Sequence, residues 1–227
     1  MSDFPSFPKI PRLHRQAVIT EKVDGTNGLI DIERVAFGTG VDNPPGVYTV
    51  GDYESPLGED GMPRHEFRIR AGSRNRWLAP GADNHGFSAW VDAHAVELSK
   101  LGPGRHYGEW WGKGIQRGYG APDKAFALFN VARWFDGSLE DGEEYRKVFP
   151  KAGPCPEVVT TVPVLWHGNA NVITHAVQTA LTTLTRFGSV LAPGFMQPEG
   201  LMVYHVAGGH YYKVLIDGDA HPKGVAA

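Results

Sequence analysis

Cysteine is almost missing from this sequence: Cys155 is the single one in 227 residues. One thiol excludes an internal disulfide and a thiolate zinc cluster, which suits a reducing cytoplasm. Long apolar runs are missing too. No stretch approaches the ~20 apolar residues of a spanning helix, and the N-terminus has no apolar signal core, so a soluble cytoplasmic protein without a membrane partner is expected. There is no excess of positive charge either. Lysine and arginine number 22 against 25 acids, a formal net charge of −3, which argues against a broad non-specific nucleic-acid surface. The 10 histidines are scattered, with no His-x-x-x-His pair on a helical segment, so no dedicated zinc site is expected. Repeats of solenoid period and low-complexity tracts are also lacking.

What is there has globular proportions: 41% hydrophobic and 21% charged residues, at a length that suits one domain. The ends, Met1 to Pro11 and Gly218 to Ala227, are rich in Pro, Gly, Ala and Ser and are expected to fray. Alternating or β-branched runs predict strands over Gly28 to Val35, Gly46 to Val50, Glu66 to Arg70, Phe126 to Trp134, Val158 to Trp166, Leu201 to Val206 and Tyr211 to Ile216. The last two are joined by Ala207-Gly208-Gly209, a hairpin turn. Helical spacing predicts one helix over Phe87 to Leu101, facing inward with Phe87, Val91, Ala95 and Leu98. A second is predicted over Thr174 to Phe187, with Val177, Leu181 and Leu184 together. More strands than helices, without strict βαβ alternation, predict an α+β fold with mainly antiparallel sheets.

Candidate chemistry gathers first in Glu21-Lys22-Val23-Asp24-Gly25-Thr26-Asn27. Lys22 is the candidate nucleophile, and an amine attacks only once it has lost its proton, so it needs neighbours that help. In an extended chain Asp24 points to the same side as Lys22 and could hold a metal ion, while Gly25 lets the backbone approach a phosphate. Glu199 stands on a Pro-Glu-Gly step opening an apolar strand, where a carboxylate has little structural reason to be unless it holds a metal or a base. Lys213 interrupts the apolar run Tyr211 to Ile216 and reads as a buried cation in need of an anion. Arg64, Arg68, Arg70, Arg74 and Arg76 crowd one short segment, either as a solvated strand face or as a surface that meets phosphates.

Five segments follow one another in a fixed order: Lys22-Val23-Asp24-Gly25, Tyr107-Gly108-Glu109-Trp110-Trp111-Gly112, Phe126-Ala127-Leu128-Phe129-Asn130-Val131, Pro198-Glu199-Gly200-Leu201-Met202-Val203 and Tyr211-Tyr212-Lys213-Val214-Leu215. Together they resemble the motifs of the covalent nucleotidyltransferases, which include ATP-dependent RNA and DNA ligases and mRNA capping enzymes. The continuation Gly25-Thr26-Asn27, the segment Ser73-Arg74-Asn75-Arg76, the segment Gly112-Lys113-Gly114-Ile115-Gln116 and Val162-Pro163-Val164-Leu165 with Gly168 resemble the RNA ligase branch of the T4 RNA ligase 2 type.

The resemblance implies a nucleotidyltransferase (ATP-grasp-like) domain whose sheets flank a nucleotide pocket. It implies an ATP-dependent RNA ligase that joins 3′-hydroxyl and 5′-phosphate ends through a lysyl-AMP on Lys22, with ATP and Mg2+ or Mn2+. By the same resemblance Glu199 and Asp24 hold metal, Lys213 meets the α-phosphate, Glu109 accepts from the ribose, and Glu21 and Asn27 help to place the nucleotide. Phe129, or alternatively Phe126, stacks on adenine, and Arg74 or Arg76 contacts phosphate. The partners implied are RNA ends in a nicked duplex or broken RNA, possibly DNA, handled by a monomer or with an accessory chain. Two departures stand out. The second lysine usual in the last motif is missing and would be replaced by Lys113, Lys124 or an arginine. The chain also ends about 14 residues beyond Lys213, so residues 1–227 are expected to be one catalytic domain without an OB-fold or C-terminal accessory domain. The alternatives are a small ATP-dependent DNA ligase, a guanylyltransferase, or a degenerate nucleotide or nucleic-acid end-binding module without turnover.

Overall fold

β-Branched and aromatic residues recur at every second position over much of the chain, a pattern that fits a pleated, half-buried surface. The computed structural model describes residue 7 and residues 9–38, 43–136 and 142–217. Its strands are β1 (Gln16–Lys22), β2 (Thr26–Ala36), β3 (Val47–Gly51), β4 (His65–Gly72), β5 (Gly104–Gly112), β6 (Lys124–Leu128), β7 (Trp134–Phe135), β8 (Gly153–Pro154), β9 (Thr160–Thr161), β10 (Val164–Asn169), β11 (Gly200–His205) and β12 (His210–Leu215). The helices are α1 (Phe87–Ala93), α2 (Ala95–Ser99), α3 (Gly142–Val148) and α4 (Ile173–Phe187). The fold is α+β with mostly antiparallel sheets. Among the described residues no helix is long and apolar enough to cross a membrane.

The chain divides into two compact units. The first, Met1–Lys22 with Pro163–Ala227, carries a 4-stranded antiparallel sheet in the order β10-β1-β11-β12. Ile19, Leu201 and Val203 on one face pack with Ala176, Ala180 and Leu184 of α4. Burying each large aliphatic group there contributes about 1.5–3 kcal/mol. The amphipathic spacing of α4 holds, with its most buried row one residue away from Val177 and Leu181, which pack partly against the same core. The helix stops at Gly188, whose φ of 81° a residue with a Cβ rarely adopts.

The second unit, Val23–Val162, carries a 6-stranded sheet in the order β3-β4-β2-β5-β6-β9 and the short parallel pair β7-β8. Only β6 and β9 run parallel within the larger sheet. Ile30, Ile32, Ile69 and Ala71 on its inner face pack against Phe87, Val91, Ala95 and Leu98, with Trp110 and Phe126 beside them.

Several expected elements differ. Phe87 to Leu101 is two helices rather than one, because His94 leaves helical geometry at φ −117° and ψ 20°, with its ring Nδ1 2.8 Å from the Trp90 carbonyl oxygen. The predicted inward face survives this break. The run from Phe126 ends as a strand at Leu128, since the Val131 and Arg133 N–H groups turn back to Phe129 and Asn130. The run from Val158 splits at Val162 and Pro163: the Val162 N–H bonds to Leu128 in one sheet, and the Pro163 carbonyl accepts from Glu21 in the other. Strands β1 and β5 and helix α3 were not among the expected elements; the glycines at 104, 108 and 112 disguise β5. The hairpin Gly200–His205 to His210–Leu215 is as expected, with Gly209 at φ 64°. Of the ends expected to fray, residues 1–6, 8 and 218–227 lie outside the described residues.

Candidate active site

Alternation along β1 sends its last two side chains to opposite faces. Glu21 shares the side of Ile19, against α4, and is 1% exposed. Its Oε2 accepts from the N–H groups of Val190 at 2.8 Å and Leu191 at 3.1 Å, in the loop that follows α4. Among the described residues its Oε1 is buried with no hydrogen-bond partner. Burial raises the Glu21 pKa above the ordinary carboxylate value, and the bonds from Ser189, Leu191 and Val190 work against that shift.

Lys22 lies on the other face, opposite Gly200, and its Nζ donates to Glu199 Oε2 at 2.5 Å. Both side chains are largely covered, 23% and 12% exposed, so water screens this ion pair less than a surface pair. Gly200 is required by the close approach of β12: a Cβ there would stand 2.1 Å from the Val214 carbonyl oxygen. Lys213 pairs with Met202, which pairs with Thr20, so Lys213 shares the sheet face of Lys22 two strands away. It is exposed, which corrects the expectation of a buried cation: β12 is an edge strand and leaves this side open.

The second unit carries the other candidates. Strand β1 ends at Lys22, so strict alternation does not extend to Asp24. The Asp24 carboxylate is held by Arg117 Nε at 3.0 Å, and its backbone N–H donates to the Tyr119 hydroxyl at 2.8 Å. Gly25 presses against β5, where an added Cβ would lie 2.4 Å from the Trp110 carbonyl oxygen. Packing on protein backbone therefore accounts for this glycine without a phosphate. The Gly25 N–H donates to Glu109 Oε1 at 3.2 Å, and Asn27 stands directly opposite Glu109 across β2 and β5, on the same face.

Phe126 is fully buried in an aromatic cluster, 5.1 Å from Phe87 by ring centroids, whereas Phe129 just beyond β6 is half-buried. Phe129 is thus the ring a ligand can reach. Arg76 donates to the Ala82 carbonyl oxygen at 2.7 Å, and Arg74 is exposed at the hairpin tip. Of the stand-ins for the missing lysine, Lys124 is bound to the His85 carbonyl oxygen at 2.7 Å and Lys113 is exposed.

Arg117 and Tyr119 escaped the sequence reading. They follow the segment ending at Gln116 by one and three residues, in a turn where Gln116 and Tyr119 take φ of 44° and 53°. A basic residue next to a recognised segment was the available signal. The partners of Glu21 were beyond reach, because backbone N–H groups at 190 and 191 carry no side-chain signature. Among the described residues no three His, Cys, Asp or Glu side chains group as metal ligands. Glu199 and Asp24 are single carboxylates, each facing a cation, and a lone carboxylate is the usual protein share of a hard ion that takes its other oxygens from phosphate.

A strand-end lysine held by a carboxylate stands on an α+β frame of mostly antiparallel sheets. The model of the RNA ligase family matches residues 15–211, and the chain belongs to that family. It is similar to solved structures of a Naegleria gruberi RNA ligase. The ligase with PPi is 18% identical with a TM-score of 0.49, covering 95% of this chain and 57% of that one. A lysine-to-alanine variant with ATP and Mn is 16% identical with a TM-score of 0.48, covering 90% and 50%. A lysine-to-methionine variant with AMP and Mn is 17% identical with a TM-score of 0.47, covering 89% and 50%. The chain spans about half the length of the solved ligases it matches. Comparison with curated proteins gives no match.

Proposed function

We propose that the chain is the catalytic domain of an ATP-dependent RNA ligase, acting on broken RNA in the cytoplasm through a lysyl-AMP on Lys22. The observation that carries this reading is the Lys22 amine set 2.5 Å from Glu199 in a chain of the RNA ligase family. An ammonium has no lone pair to attack with, and Glu199 is the acceptor within hydrogen-bond reach of its proton. The deprotonated Nζ attacks the α-phosphorus of ATP, a P–N bond forms, and the bond to pyrophosphate breaks. The 5′-phosphate of an RNA end then displaces Lys22 from AMP, and a 3′-hydroxyl attacks that phosphate and expels AMP. Each step is an in-line displacement, so positioning and neutralisation of oxygen charge carry most of the catalysis.

The other residues take roles that suit their surroundings. Glu21, buried on the α4 side with its Oε2 on the Val190 and Leu191 N–H groups, helps to place the nucleotide by fixing that loop against the end of β1. Phe129 stacks on the base, and Glu109 and Asn27, side by side on one face, serve the ribose. Lys213 and Arg74 are exposed cations suited to phosphate. Glu199 and Asp24 would hold Mg2+ or Mn2+, which when bound neutralises charge on phosphate oxygens.

Joining of a nick is the direct test. With ATP and Mg2+ the protein should seal an RNA nick, and sealing confined to DNA would overturn the RNA assignment. Glu199→Ala should lower RNA sealing by about a hundredfold or more, the low end for loss of a proton acceptor. Activity equal to wild type at saturating Mg2+ would remove Glu199 from the mechanism.

A further inference from the structure

The larger sheet has a second face, turned away from the core of α1 and α2. Ile30, Ile32, Ile69 and Ala71 point inward, so Leu29, Asp31, Arg70 and Gly72 lie on the outer side. Register sets out one row across that side: the Phe129 N–H bonds to the Tyr107 carbonyl oxygen, Tyr107 pairs with Leu29, Leu29 pairs with Gly72, and Gly72 bridges to Trp77. Tyr107 is 47% exposed and Trp77 40%. Gly72 has no side chain, and the Leu29 side chain and the Trp77 ring close over it, each within 3.4 Å of where a Cβ would sit.

The next row is charged. Arg105 pairs with Asp31, Asp31 with Arg70, and Arg70 with Val47. The Arg70 guanidinium lies 4.3 Å from the Trp77 ring centroid, and its Nε is buried with no hydrogen-bond partner among the described residues. Arg105 reaches Asp31 at 3.5 Å with its side chain 66% exposed. The turn from Ser73 to Arg76, closed by the Ser73 N–H to the Arg76 carbonyl oxygen at 2.8 Å, displays the exposed Arg74 just beyond the Gly72–Trp77 bridge, on the other side of the aromatic row.

We propose that this face is a stacking track for the unpaired bases of an RNA strand, with Tyr107 and Trp77 as platforms and Arg70, Arg74 and Arg105 on the backbone phosphates. The inference rests on the RNA ligase reading for the identity of the strand. Three strand spacings separate Tyr107 from Trp77, about 14 Å at ~4.8 Å each, which is room for more than one base. Exposed aromatic rings flanked by arginine bind single strands because every base has a π-face, whereas a duplex keeps those faces stacked within itself. A short track of this kind is compatible with a chain of net charge −3, for which a wide cationic surface is not available. The substrate it selects is an end with unpaired nucleotides next to the junction.

Fluorescence anisotropy at one fixed salt concentration tests this with two probes, a 5′-phosphorylated single-stranded RNA and a blunt, nicked RNA duplex of the same sequence. Wild type should bind the single strand. Tyr107→Ala should weaken that binding about fivefold to a hundredfold, the range for losing one base–aromatic stack, with Tyr107→Phe restoring it and the nicked duplex unaffected. Since Trp77 closes a hairpin, Arg70→Gln tests that end of the track with less disturbance and should weaken the single strand selectively as well. Failure of wild type to bind the single strand, unchanged binding by Tyr107→Ala and Arg70→Gln, or equal losses on both probes would overturn the track. Labelling of wild type with α-labelled ATP is run in parallel. Label together with unchanged variant binding removes the track and leaves the ligase reading standing; ring-dependent strand binding without label does the reverse.

Discussion

Glu21 and Lys22 are adjacent carriers of opposite charge, and strand alternation gives them separate work. Glu21 is sealed against the α4 side and Lys22 faces Glu199 on the other. Because burial raises the Glu21 pKa, the folded state holds its proton more tightly than the unfolded chain does. The stability this contributes is complete below the ordinary glutamate value of 4.5 and is lost as pH rises through the folded value. Glu21→Gln cannot ionise, so its Tm relative to wild type should climb as pH rises above 4.5, and a constant difference across that window would contradict the burial argument. The two phenylalanines separate core from ligand in the same way. Phe126→Ala, deep among Phe87 and Trp110, should cost about 3–5 kcal/mol of stability by urea denaturation. Phe129→Ala should leave the urea midpoint near wild type and weaken ATP binding by calorimetry. The opposite pattern would exchange their roles.

At the scale of elements, the strands of alternating apolar residues were legible in the sequence wherever the alternation was clean, as in β2, β4 and the hairpin of β11 and β12. Strand β5 was hidden because glycine reads as a breaker, although Gly108 gives room to the Phe126 ring and Gly112 to the Asp123 carbonyl. The helix expected over Phe87 to Leu101 kept its inward face and lost its continuity at His94, a local departure that periodicity cannot register. The candidate segments stand out in the sequence because residue type and order carry them. Their partners do not: Arg117 and Tyr119 meet Asp24 from about 95 residues away, which only tertiary folding arranges. Gly25 was read for phosphate and is accounted for by packing on β5. Gly25→Ala should therefore cost about 1–3 kcal/mol through the clash with the Trp110 carbonyl, read as a lowered urea midpoint without nucleotide. An unchanged midpoint would return the glycine to a ligand role.

Across the whole molecule, the candidate residues divide between the two units: Glu21, Lys22, Glu199 and Lys213 in one, Asp24, Asn27, Arg74, Glu109 and Phe129 in the other. The peptide bond from Lys22 to Val23 marks the division, so the Lys-x-Asp-Gly segment contributes to both. The balance of charge, 22 basic against 25 acidic residues, suits the proposed RNA strand to a grip by particular side chains rather than by a general field. All of this turns on Lys22. The decisive measurement is to incubate the protein and its Lys22→Ala variant with α-labelled ATP or GTP and Mg2+, denature them, and map any label on the polypeptide. The account predicts label from ATP on Lys22 of the wild type and none on a folded Lys22→Ala. Label that persists in the variant, or that comes from GTP alone, would contradict it.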